Sequence, residues 1–172
     1  SIIREAKAEG RKVLLEHEAK MLLRIHGIST SVDKVALTED HALEMAKEIK
    51  GPVVLKIISP DILHKSDAGG VKVNLKSESQ IRIAYNEILL NAKNYNPDAD
   101  IRGVLVSSMA NGGLEVIVGT KVDDQFGPVI MYGLGGIMVE IMKDVTFWVL
   151  PISPTSAKKM IEETRSSVIL GG

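Results

Sequence analysis

The chain has 172 residues, 45% of them hydrophobic, enough to build a hydrophobic core in one large domain or two small ones. Its 21 basic and 22 acidic residues give a net charge of −1, and aromatic residues make up 3%, so nucleic-acid binding is not expected. The absence of cysteine excludes disulfides, thiolate metal sites and a cysteine nucleophile, and it fits a reducing compartment such as the cytoplasm.

Two further features concern the class of polypeptide. No apolar run approaches the ~20 residues that a membrane-spanning helix needs, and no leader-like segment opens the chain, so we expect no membrane partner. The chain begins at Ser1 rather than at methionine and ends at Gly171-Gly172, a pair typical of a turn. We therefore expect a fragment of a longer polypeptide.

The first fifty residues predict helices around one weak strand. Residues 1–15 are charged and predict a helix, and residues 16–26 predict a second helix that ends at Gly27. Residues 32–37 predict a weak strand, after which Thr38 is a typical N-cap for a helix that ends at Gly51-Pro52.

The stretch from Pro52 to Leu75 carries the strongest functional pattern. An apolar, β-branched run predicts a buried strand that ends at Lys56, and a polar loop closed by Gly69-Gly70 leads into a second strand that begins at Val71. Glycines let backbone N–H groups approach a ligand closely, and a neighbouring ammonium group adds a point charge. The pattern therefore predicts a hairpin whose loop covers phosphate groups.

The rest of the chain predicts one helix, then mainly strands. Ser77 caps a helix that lasts until Asn96-Pro97, and a strand over residues 102–109 completes a small α+β layer. Strands within residues 114–152, separated by short turns, predict an antiparallel sheet, and Ser153-Pro154 begins a closing helix. We expect an N-terminal subdomain over residues 1–101 and an antiparallel-sheet subdomain over residues 102–172.

Two long motifs carry a resemblance to a known family: PVVLKIISPDILHKSDAGGVKVNL and EVIVGTKVDDQFGPVIMYGLGGIMVEIMKDVTF. Together with the order of the predicted elements, they resemble the ATP-grasp (β) subunit of the NDP-forming acyl-CoA synthetases. The resemblance implies an α+β ATP-grasp fold with a small lid lobe and an antiparallel-sheet lobe, truncated at its C-terminus.

The resemblance also implies a nucleotide site. Lys56 would hold the α- or β-phosphate, while Gly69, Gly70 and Val71 would close over the nucleotide. The backbone of residues 106–109 would form a hinge that contacts the adenine edge. Glu115 would supply a carboxylate eight residues after Ser107. Related succinyl-CoA synthetases have a carboxylate at both of these positions, with a glutamate in place of Ser107. The nucleotide-site residues implied are Lys56, Lys65, Gly69, Gly70, Val71, Val106, Ser107, Met109 and Glu115.

His64 is the implied catalytic residue. In this branch the histidine of the SPDIxHK loop is taken to receive a phosphoryl group from a histidine of the partner subunit and to pass it to ADP. A neutral imidazole near pH 7 is nucleophilic without a separate base, which suits this role. Lys65 would lie beside the phosphorylated ring and offset its added negative charge.

Two departures from the family pattern concern phosphate and metal contacts. Trp148 stands where the family pattern predicts a basic residue. Magnesium accompanies ATP or ADP in ATP-grasp enzymes, but its ligands are expected beyond residue 172. Glu140 and Asp144 are candidate ligands, and each is equally well a charge at the end of a strand.

The implied activity is reversible: acyl-CoA, ADP and phosphate give acid, ATP and CoA, on an α2β2 heterotetramer with a CoA-binding α subunit. The acyl group and the choice between ADP and GDP stay open. Two alternatives also stay open at this point. A self-sufficient ATP-grasp carboxylate–amine ligase would not require His64, and a non-catalytic ATP-binding module would form no phosphohistidine.

Overall fold

The computed structural model describes residues 1–110, 112–136 and 144–170. They belong to two units that pack separately, Ser1–Ala110 and Asn111–Gly172. Among the described residues, no helix has both the length and the apolar character needed to cross a membrane.

The first unit is a four-stranded antiparallel sheet with four helices. Its strands stand in the order β1-β4-β2-β3. They are β1 (Asp33–Ala36), β2 (Val53–Ile58), β3 (Val71–Leu75) and β4 (Gly103–Ser108). The helices are α1 (Ile2–Ala8), α2 (Glu16–Ile25), α3 (Glu39–Glu48) and α4 (Glu78–Tyr95).

The period of two along β2 and β4 divides their side chains between two faces of the sheet. Val53, Leu55 and Ile57 lie in the main core with apolar residues of α3 and α4. On the opposite face Ile58 and Leu105 pack against Leu15, the N-cap residue of α2. The alternation places Lys56 on this second face, close to the start of α2.

Several predicted element ends are confirmed. The Thr38 side chain accepts a hydrogen bond from the His41 N–H at 3.2 Å, and the Ser77 side chain accepts one from Gln80 at 3.3 Å. The first helix is shorter than predicted and ends at Ala8, before Gly10 with its φ of +72°.

The second unit is a three-stranded antiparallel sheet in the order β5-β6-β7. Its strands are β5 (Val116–Asp123), β6 (Gly127–Leu134) and β7 (Val145–Val149), followed by helices α5 (Pro154–Glu162) and α6 (Ser167–Leu170). Ser153 caps α5 with Pro154 in its first turn, as the sequence predicts. Part of the stretch predicted to form strands, residues 137–143, lies outside the described residues.

The boundary between the units differs from the predicted one after residue 101. β4 pairs with both β1 and β2 and is therefore a central strand of the first sheet rather than the beginning of the second. Three of its side chains are fully buried, those of Val104, Leu105 and Val106. The division between the units falls after Ala110.

Candidate functional site

Lys56 lies where the sequence predicts a phosphate-binding lysine, on β2, but the strand continues past it to Ile58. Its ammonium group donates a hydrogen bond to Glu16 Oε1 at 2.7 Å. Glu16 is the first residue of α2, and Leu15 fixes this end of the helix against the sheet. A charged side chain can project from the middle of this buried strand because a helix supplies its counter-ion.

Glu16 is the centre of a cluster of three lysines. Lys20 Nζ lies 3.1 Å from Glu16 Oε1, and Lys65 Nζ lies 3.6 Å from Glu16 Oε2. Burial raises the pKa of the Glu16 carboxyl, but hydrogen bonds from Lys56 and Lys20 outweigh burial and lower this pKa to about 2. The carboxylate is therefore ionised throughout the physiological range.

The segment between β2 and β3 is anchored at both of its ends. Ile62 and Ala68 are buried in the main core, at 1% and 5% exposure. The Ser59 hydroxyl accepts the Asp61 N–H at 3.1 Å, and Asn91 of α4 donates to the Gly69 carbonyl at 3.1 Å. The exposed part of the loop is thus short and lies between the two buried anchors.

Gly69 and Gly70 close this loop, and the structure gives a packing reason for glycine at this place. Their N–H groups donate within the loop, Gly69 to the Ser66 carbonyl at 3.0 Å and Gly70 to the Lys65 carbonyl at 2.8 Å. A Cβ at Gly70 would lie 2.6 Å from Ile57 Cγ2. These glycines permit tight packing of the loop against β2, and their N–H groups are already used by the protein.

The loop places His64 beside the lysines. The His64 side chain is exposed, and it lines an open cleft of about 460 Å³ with Lys56 and Lys65. Glu16, Leu63, Ser66, Asp67 and Val71 complete the lining. The structure therefore brings together four of the predicted site residues, namely His64, Lys56, Lys65 and Val71.

The predicted hinge residues lie partly inside the first sheet. Val106 is fully buried in the main core, and Ser107 is 2% exposed, because both belong to the central strand β4. The Met109 N–H donates to the Pro52 carbonyl at 3.1 Å, and its side chain is exposed. The side chains of Val106 and Ser107 are therefore shielded by the sheet, and of the three residues only Met109 stands at the surface. The expected contact with adenine concerns the backbone groups of residues 106–109 and stays a prediction.

Two other candidates lie in the second unit. Glu115 is exposed immediately before β5, and its carbonyl accepts the Gly135 N–H at 2.7 Å. Asp144 is buried, and its two oxygens accept the N–H groups of Arg165 and Ser166, each at 2.8 Å. The hydrogen bond from the Arg165 N–H is the main cause that holds the Asp144 pKa below its ordinary value.

The described residues do not assemble a magnesium site. They contain no group of three or more acidic or histidine side chains that could hold a metal ion. Asp144 has a structural role here, since both of its carboxylate oxygens accept backbone N–H groups. The other candidate, Glu140, lies outside the described residues.

Glu16 is the site residue that sequence reasoning missed. Its pairing with Lys20 four residues later was a visible signal, since such pairs face each other on a helix. The sequence offers no signal for its contact with Lys56, which depends on how α2 docks on the sheet.

Comparison with known proteins assigns the family. The family described as "ATP-grasp domain" matches residues 5–172. The β subunit of acetate–CoA ligase (ADP-forming) I of Pyrococcus furiosus is 52% identical over 171 residues, which cover 99% of this chain and 73% of that subunit.

Two solved structures of acetyl-coenzyme A synthetase 1 from Ca. Korarchaeum cryptofilum, described as dinucleotide forming, are also similar. The complex with coenzyme A, Ca-AMPCP and HgCl+ has a TM-score of 0.93 at 48% identity and covers 99% of this chain and 74% of that one. The complex with coenzyme A and Mg-AMPPCP, whose phosphohistidine segment points towards the nucleotide binding site, has a TM-score of 0.82 at 44% identity, with 99% and 73% coverage. These matches confirm the expected ATP-grasp fold. The chain belongs to the ATP-grasp family and, within it, to the β subunits of the ADP-forming acetate–CoA ligases.

Proposed function

We propose that this chain is the nucleotide-binding phosphotransfer subunit in the reversible reaction of acyl-CoA, ADP and phosphate to acid, ATP and CoA. The observation that carries the proposal is one cleft in which an exposed histidine stands beside two lysines. Imidazole is a nucleophile that can carry a phosphoryl group, and ammonium groups stabilise the charge on that group and on a diphosphate.

The proposed transfer has two steps at His64. In the first step a ring nitrogen attacks the phosphorus atom of a phosphoryl group delivered by the partner, so that an N–P bond forms and the bond to the donor breaks. In the second step a terminal oxygen of ADP attacks the same phosphorus atom, the N–P bond breaks, and ATP forms. The ammonium groups of Lys56 and Lys65 offset the negative charge of the phosphoryl oxygens.

The partner in this proposal is a CoA-binding α subunit, in an α2β2 assembly. The name of the Pyrococcus furiosus relative as a subunit β and the coenzyme A bound in the Korarchaeum structures support a separate CoA-binding part. Mg²⁺ is the companion of the nucleotide in the proposal, as in the Mg-AMPPCP complex of the relative. The cysteine-free composition fits a cytoplasmic enzyme.

His64→Ala tests the proposal. The full-length subunit, reconstituted with its α subunit, is incubated with acyl-CoA and labelled phosphate, and acid-labile, base-stable label is measured on this chain. We expect label on the wild type and none on the variant, loss of ATP synthesis, and near-normal ADP affinity. The exposed ring should contribute less than about 0.5 kcal/mol to stability.

His41→Ala is the matched control, because His41 is also exposed but lies on α3. It should keep both the label and the activity. An active His64→Ala enzyme would contradict the relay and would favour direct transfer from the partner to ADP.

A further inference from the structure

The cleft holds two like charges close together, and this arrangement needs an explanation. Lys56 and Lys65 both line it, and their ammonium groups lie 2.7 Å from Oε1 and 3.6 Å from Oε2 of one carboxylate, that of Glu16. Two ammonium groups held on one carboxylate repel each other, and without that carboxylate the flexible side chains would move apart into water.

We propose that Glu16 is a positioning residue that holds the ammonium groups of Lys56 and Lys65 together, so that both face the phosphate chain of a nucleoside diphosphate. The inference rests on the proposed function, to which it adds a residue of α2 that contacts the lysines rather than the nucleotide. In protein kinases a lysine that contacts phosphates must likewise be paired with a helix glutamate.

The position of the Glu16 carboxylate is itself fixed. Leu15 is buried against Ile58 and Leu105, so the first turn of α2 cannot shift along the sheet without losing apolar contacts. Lys20 holds Oε1 from the side of the helix and is itself bonded to the Ser31 hydroxyl at 2.9 Å. The Glu16 side chain is only 19% exposed. A carboxylate restrained in this way can orient the longer, more flexible lysine side chains.

The net charge around Glu16 favours the binding of an anion. Three ammonium groups surround Glu16, and the other carboxylate that lines the cleft is that of Asp67. The cluster of three lysines and two carboxylates therefore keeps a net positive charge. Each ammonium group has three N–H donors, so a lysine bonded to Glu16 can still donate to phosphate oxygens. The depressed pKa of Glu16 keeps this arrangement intact at physiological pH.

The test compares ligands with and without phosphates. ADP and adenosine are titrated into the full-length subunit, in complex with its α subunit, as the wild type and as Glu16→Gln. The amide keeps the shape of the side chain but removes its charge. We expect about a tenfold loss of ADP affinity and less than a twofold change for adenosine, since only the phosphate contacts depend on the lysines.

Two further variants make the test specific. Glu78→Gln is the matched control, because Glu78 pairs with Lys47 at 2.8 Å on an exposed surface away from the cleft, and it should leave ADP affinity unchanged. In the Lys56→Ala background Glu16→Gln should reduce ADP affinity by a smaller factor than in the wild type, because one of the groups that it positions is gone.

The outcomes separate the two proposals. If the wild type binds ADP and Glu16→Gln binds it equally well, the positioning role of Glu16 is overturned while the proposed function stands. Equal losses for ADP and adenosine, or full additivity with Lys56→Ala, would mean that Glu16 only supports the fold and would also overturn the inference. A wild-type complex that binds no ADP would overturn the proposed function together with it.

Discussion

Lys56 shows how a buried strand can carry a charged side chain. Its neighbours Leu55 and Ile57 face the core, so its own side chain emerges on the other face, where Glu16 from 40 residues earlier accepts its hydrogen bond. Loss of the ammonium group would leave Glu16 with Lys20 and Lys65 as partners. The fold should therefore tolerate the loss of this side chain.

Lys56→Ala should weaken ADP binding by about 1.5 to 3 kcal/mol, the usual loss when a charge-assisted phosphate contact is removed. Isothermal titration calorimetry would measure the loss, and thermal melting would verify the fold. Lys47→Ala removes an exposed lysine on α3 and should bind ADP normally. Unchanged ADP affinity in a well-folded Lys56→Ala protein would disprove the role of this lysine.

Glu16 marks the limit of what the sequence could predict about the site. Lys56, His64 and Lys65 were predictable because they lie within one continuous motif between two recognisable strands. Glu16 was not, because the docking of α2 is decided by Leu15 packing on Ile58 and Leu105. The pattern of apolar residues predicts a helix but not the face of the sheet that it covers. The sequence likewise does not reveal the burial of the Val106 and Ser107 side chains, since β-pairing on both sides of β4 decides it.

Among the elements, the connection between β2 and β3 shows a structural reason for a glycine pair. Gly70 is buried, and its carbonyl accepts the Ile57 N–H at 2.8 Å. β3 begins at the predicted Val71, directly after the turn at Gly69-Gly70. β2 extends two residues beyond the predicted end because Ile57 and Ile58 continue the alternation past the charged Lys56.

Gly70→Ala should lower the free energy of unfolding by about 1 to 3 kcal/mol, as overpacking in a tight core does. The reason is the approach of its Cβ to 2.6 Å from Ile57 Cγ2. Chemical denaturation would measure the change. Gly119→Ala is the control, since its Cβ would meet nothing nearer than 3.8 Å. A Gly70→Ala protein of normal stability but weakened ADP affinity would instead support the original phosphate-cradle interpretation.

For the whole molecule, the Glu16 cluster predicts how stability depends on pH. The pKa of Glu16 is lowered from 4.5 to about 2 on folding. A depressed folded-state pKa contributes stability above the unfolded-state pKa, and this contribution is lost as the pH falls from 4.5 towards 2. The contribution of this one carboxylate is at most about 3 kcal/mol.

The stability advantage of the wild type over Glu16→Gln should therefore be constant above about pH 5 and should shrink as the pH approaches 3. Urea unfolding of both proteins across this range would measure it. Glu78→Gln serves as the comparison, because Glu78 is exposed and its ion pair with Lys47 is screened by water. A difference between wild type and Glu16→Gln that did not change with pH would show that the cluster adds no stability through the charge of Glu16.

The burial of Ile62 and Ala68 limits how far His64 can move. His64 stands two residues after Ile62, and two extended residues span only about 7 Å, so its Cα can move within a sphere of about that radius as long as the anchor stays buried. A phosphoryl group must therefore be handed to this histidine and taken from it within that short reach. In the proposed relay the partner therefore carries the phosphoryl group over most of the distance between the CoA-binding part and the nucleotide. His64 receives the group at the end of that movement and itself moves little.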